Sequence, residues 1–102
     1  MSSKNFEGKW EIIEMEQWDL EPDFYIEFDK KNSGSLHFLC VDAYLDCRYT
    51  DSQRVEFTFH GNDEGDEVFG RGWAAIKKNH LEGYLCFHQG DESTFKAKLV
   101  SN

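Results

Sequence analysis

Apolar and polar residues alternate with a period of two along nearly the whole chain, and no stretch gathers its apolar residues on one helical face. That period belongs to strands with one buried side, so the chain is predicted to be all β, with aromatics at 16 % and Pro22 its one proline. The best helical candidate, about residues 9–18, has apolar positions at Trp10, Ile12, Ile13, Met15 and Trp18, which scatter around a helical wheel. It is read as a long first strand. Residues 24–28 make the second, closed by the turn formers Asn32, Ser33 and Gly34, and Leu36, Phe38 and Cys40 define the inner face of the third. A tight turn at Asp42 and Ala43 is expected next, pairing Cys40 with Leu45 and Phe38 with Cys47 on that face.

Val55, Phe57 and Phe59 point inward on the fifth strand, and Val68, Gly70, Gly72, Ala74 and Ile76 on the sixth. With a turn at Lys78 and Asn79, Ile76 opposes Leu81, Gly72 opposes Leu85 and Gly70 opposes Phe87. Small residues then make room for large ones, as the interior of a narrow barrel requires. Phe95, Ala97 and Leu99 complete an eighth strand. The expected architecture is one domain, residues 1–102, an eight-stranded antiparallel up-and-down meander closed into a small barrel. Closure removes both sheet edges, and the alternatives are an open twisted sheet or a two-sheet sandwich.

Twenty acidic against eleven basic side chains give a net charge of −9, a field that repels polyphosphate and anionic lipid. Nucleic acid and membrane are excluded as expected partners. Residues 1–6 contain no apolar leader, and three cysteines without a C-x-x-C pair argue for a reducing, cytoplasmic setting.

In a meander, alternate connections lie at the same end. One end receives three acids in the segment Asp19–Asp23, Asp42, four in the segment Asn62–Glu67 and two in the segment Gly90–Glu92, ten carboxylates with no lysine or arginine. Asp63, Glu64, Asp66, Glu67, Asp91 and Glu92 are the residues expected to meet a cationic ligand or a basic protein partner there. The phrase Phe-His-x-x-Asp-Glu occurs twice at this end, beginning at Phe59 and Phe87. It brings His60, Asp63, His88 and Asp91 forward as a possible site for a zinc- or manganese-type ion, although turn formation alone accounts for the aspartates and is the favoured reading. No resident cofactor is expected. No nucleophile elbow or phosphate loop occurs. Glu14 and Glu16 would face the interior of an uninterrupted first strand, and a bulge near Ile12 and Ile13 is expected to turn Ile13 and Met15 inward and leave both in water. On the outside, Phe69, Trp73 and Tyr84 should form an aromatic patch anchored by Arg71, an expected homodimer interface.

The opening Phe6-Glu7-Gly8-Lys9-Trp10 resembles the Gly-x-Trp start of the lipocalin and calycin barrels. That resemblance implies a tryptophan plugging one barrel end, covered by a basic residue of the last strand, for which Lys96 or Lys98 would serve, and a small apolar ligand inside. The chain as a whole, chiefly residues 8–19 and 54–74, also resembles small bacterial β-barrel proteins of about 100 residues, a likeness that carries no activity. The expectation is a non-enzymatic binding module. The alternatives are a calycin-like carrier and an enzyme using a metal or the paired glutamates.

Overall fold

The structure, a computed structural model, describes residues 5–51 and 53–101. Eight strands follow in order: β1 Gly8–Met15, β2 Tyr25–Phe28, β3 Ser33–Phe38, β4 Val41–Asp51, β5 Arg54–Asp63, β6 Asp66–Lys77, β7 His80–Phe87 and β8 Glu92–Ser101. Each pairs antiparallel with the next, and β8 returns to β1, so the meander closes into a barrel. Among the described residues no helix is long and apolar enough to cross a membrane.

The alternation predicted from the sequence sorts the side chains as expected. Ile26, Phe28, Leu36, Phe38, Leu45, Val55, Phe59, Leu81, Leu85, Phe95 and Ala97 are at most 2 % exposed and make one continuous core with Trp10, Ile12 and Phe57. The β6–β7 register is the expected one, with Gly70 opposite Phe87, Gly72 opposite Leu85 and Ile76 opposite Leu81. Each end is closed by rings. Phe6, fully buried, packs edge-on against Phe28 at 5.6 Å and against Tyr49 at 5.4 Å, while at the opposite end Trp18 packs on Phe38 at 5.0 Å and Phe87 at 6.0 Å. Interior positions are therefore occupied by the protein's own side chains.

Three expectations need correction. The β3–β4 turn is Leu39 and Cys40, with Phe38 opposite Val41, so Cys40 is exposed and Asp42 lies within β4. Leu45 faces Gly34 instead of Cys40, a slide of six residues. The step is even, which leaves the inward set unchanged. In β1 the register shifts between Ile12 and Glu14, confirming a bulge, but Ile12 stays inward with Met15 and Ile13 is the extra, half-buried residue. Leu99 is 41 % exposed because β8 runs past its pairing with β7, which begins at His80 opposite Lys98. Trp10 is buried, its Nε1 donates to the Phe6 carbonyl at 2.9 Å, and Lys98 lines the same surface pocket as Trp10, with Lys78 and Leu99. Lys96 and Lys98 hold outward positions on β8, and Lys96 reaches Glu14 at 3.8 Å.

Candidate functional site

Up-and-down pairing brings residues 16–24, the Leu39–Cys40 turn, the Glu64–Gly65 turn and residues 88–91 to one end of the barrel. Both Glu64 and Gly65 have positive φ, which suits a two-residue hairpin loop between twisted strands. Two of these turns touch, since the Cys40 thiol donates to Glu64 Oε1 at 3.0 Å. That hydrogen bond and the charge of Glu64 raise the Cys40 pKa. Asp63, Glu64, Asp66, Glu67, Asp91 and Glu92 are all exposed here, and Asp63 stands directly opposite Asp66. Asp42 is engaged by His37, whose Nδ1 lies within hydrogen-bond distance of its carboxylate at 2.6 Å.

Directly beneath the carboxylates runs a row of rings on the outer wall. Tyr44, His60 and Phe69 are successive cross-strand partners on β4, β5 and β6, and His88 follows through its amide, which donates to the Phe69 carbonyl at 2.8 Å. Tyr44 and His60 lie 6.0 Å apart, and Phe69 stacks on His88 at 4.7 Å. Tyr44 is 70 % and Phe69 51 % exposed, so the row presents its rings to solvent. The strand geometry also separates the two histidines. Among the described residues no three His, Cys, Asp or Glu side chains converge as a metal centre, so His60, Asp63, His88 and Asp91 are not brought together. The Asp91 segment serves turn chemistry, its carbonyl accepting from the Phe87 amide at 2.9 Å.

The outer aromatic patch divides in two. Phe69 belongs to the row just described, whereas Trp73 is half-buried under the Arg54 guanidinium, 4.5 Å from the ring, with Tyr84 opposite it. The Cys86 thiol beside the Tyr84 phenol, with burial and Glu92, pushes its pKa up to about 12. Arg71, Trp73 and Tyr84 line a groove of about 540 Å³ together with Arg48, Arg54 and Thr58. A second groove of about 580 Å³, on the far side of Trp73, holds Glu14, Glu16, Glu82 and Lys96. Glu14 and Glu16 are exposed, as the bulge requires, and are not a buried acid–base pair.

The sequence reading missed Tyr44, Arg48 and Arg54. Their signal was present: with Leu45 and Cys47 inward, Tyr44, Asp46 and Arg48 must alternate outward beside the outward residues of β5. No family model, curated protein or solved structure matches this chain.

Proposed function

We propose that this protein is a non-enzymatic binding module that takes a basic segment of another protein across its acidic end. The observation that carries this reading is the ring row Tyr44, His60, Phe69 and His88 lying exposed beneath Asp63, Glu64, Asp66, Glu67, Asp91 and Glu92. Carboxylates attract lysine and arginine over a distance, and an exposed ring face then holds a guanidinium by stacking and cation–π attraction. A small cation would use the carboxylates and leave the rings idle. A calycin-like carrier is disfavoured by the filled interior, even though Gly8 and Trp10 open the chain in the calycin manner. Three free cysteines fit a cytoplasmic setting, where thiols stay reduced.

A fluorescent nine-residue arginine-rich peptide, titrated at low salt and followed by polarisation, tests the reading. Saturable binding that weakens with salt, and falls at least about tenfold in both a Tyr44→Ser/Phe69→Ser variant and an Asp63→Asn/Asp66→Asn/Glu67→Gln variant, is the expected result. Binding indifferent to the two rings would reduce the acidic end to a nonspecific cation attractor and sink the proposal. A homodimer is the second reading, and Phe69 carries it, because Arg54 covers Trp73. Sedimentation equilibrium at two protein concentrations, with and without Phe69→Ser, separates it from a monomer.

A further inference from the structure

This chain has three arginines, Arg48, Arg54 and Arg71, and all three line a single outer groove that runs across β4, β5, β6 and β7. The register explains the convergence. Arg48, Glu56, Trp73 and Tyr84 form one cross-strand row, and Asp46, Thr58, Arg71 and Cys86 the neighbouring row, all pointing away from the core. Arg48 and Arg71 are thus two strands and one row apart, about 12 Å between backbones, a span two extended arginine side chains can close from opposite sides.

Their charges are unequally satisfied. Among the described residues the ion pairs are His37 with Asp42, Arg54 with Glu56 at 3.8 Å, and Lys96 with Glu14, which leaves Arg48 and Arg71 unpaired. Arg54 is committed twice, to Glu56 and to the face of Trp73. Asp46 is the remaining carboxylate of the groove, so two free guanidiniums face one acid in a protein whose net charge is −9. A groove of about 540 Å³ with the Thr58 hydroxyl, the Tyr84 phenol and an indole in its wall has the size and the mixed lining of a small-molecule site.

We propose that this groove binds a small molecule through an oxyanion group, a phosphate ester or a carboxylate, held between Arg48 and Arg71. Each planar guanidinium offers a two-pronged donor to such an oxygen pair, and the aromatic wall contacts the remainder of the ligand. Arg54 is a positioning residue: by engaging Glu56 it takes that carboxylate away from the path of the anion. Apart from Glu92, which stands opposite Cys86 and acts on Tyr84, the acidic end lies one ring row above the site and has the opposite sign.

The three arginine Nε–Hε resonances of this chain give a direct readout. Inorganic pyrophosphate and citrate are titrated separately at low ionic strength into the native protein and into Arg48→Gln, Arg71→Gln and Arg71→Lys variants. We expect saturable shifts of the Arg48 and Arg71 signals, half-complete below about 1 mM, the scale of two charge-assisted contacts. Each glutamine variant weakens binding at least about tenfold, and Arg71→Lys, which keeps charge but loses the fork, falls between. Saturation by pyrophosphate alone assigns a phosphate ligand, by citrate alone a polycarboxylate, and by both a general oxyanion site; all three support the proposal. It is overturned by non-saturating shifts up to about 10 mM, by binding that survives both glutamine variants, or by a dimer whose arginine signals ignore both anions. In the last case Glu14, Glu16 and Glu82 of a second copy would be the occupant. Because these substitutions lie outside the ring row, failure here leaves the peptide result standing, and the reverse.

Discussion

Cys40 sits exposed in a two-residue turn, and Cys47 lies in the barrel wall against the core. Thiolate is the reactive form, so environment decides which of them reacts. Burial pushes the Cys47 thiol up to about 12, and the Glu64 carboxylate raises Cys40 by accepting its proton in a hydrogen bond. Both shifts deplete thiolate at pH 8. Cys40 is therefore expected to react with an aromatic disulfide reagent more slowly than an unstructured cysteine, and Cys47 not at all until the protein unfolds. Glu64→Gln removes the charge and should speed Cys40 several-fold at pH 8 while leaving Cys47 silent. Peptide mapping of the modified protein checks it, and an unchanged Cys40 rate would show that the Leu39–Cys40 and Glu64–Gly65 turns do not touch in solution. The Cys40–Glu64 contact was hidden from the sequence. Leu39 takes positive φ in that turn without the glycine or asparagine that normally announces it, whereas Asp42 and Ala43 offered a more conventional turn signal nearby.

Pairings between strands were more readable than turns, because facing side chains must share a fixed volume. Gly70, Gly72 and Gly83 on β6 and β7 stand where Phe59, Phe57 and Phe95 cross the barrel: a Cβ at Gly72 would meet the Tyr84 carbonyl oxygen at 2.3 Å and the Phe57 ring tip at 2.7 Å, and one at Gly83 would meet the Phe95 ring tip and the Trp73 carbonyl oxygen, each at 2.5 Å. Gly72→Ala and Gly83→Ala should each lower unfolding stability by about 1–3 kcal/mol, measured as a fall in urea midpoint at constant slope. Combining Gly72→Ala with Phe57→Leu should recover part of that loss, since the two changes share one space. Equal penalties in the single and double variants would mean that backbone conformation, not ring volume, sets the requirement for glycine. The same logic shows where pattern reading fails. A period of two fixes which face a residue takes, so the β1 bulge was found from the cost of burying Glu14 and Glu16. Which isoleucine becomes the extra residue depends on pairing with β8, where Ala97 meets Ile12 and Lys96 meets Glu14, a nonlocal fact. The arginine groove escaped for a related reason. Its arginines come from three strands and converge only when the register of both pairings is known.

At the scale of the whole molecule, acids gather at one end of the barrel, where Asp63 stands directly opposite Asp66 across a two-residue turn. Like charges facing each other on adjacent strands destabilise a hairpin, and six exposed acids gathered near one another add to that repulsion. At ionic strengths well below 0.1 M the screening length exceeds about 10 Å and the repulsion acts in full. Salt should then stabilise this protein, raising its thermal midpoint on going from low to moderate sodium chloride. Neutralising Asp63, Asp66 and Glu67 together as Asn, Asn and Gln should raise the low-salt midpoint by about 4–8 °C, the equivalent of roughly 1 kcal/mol for a domain of this size, and flatten its salt dependence. Differential scanning calorimetry at two salt concentrations decides the matter. A variant less stable than the native protein would mean that the carboxylates are satisfied by local hydrogen bonds and that the end is no source of strain. A variant that gains stability while losing the arginine-rich peptide would tie the two properties to the same groups: the repulsion that weakens the fold is then what draws the partner in, because a bound basic segment relieves it and stabilises the barrel in proportion to its affinity.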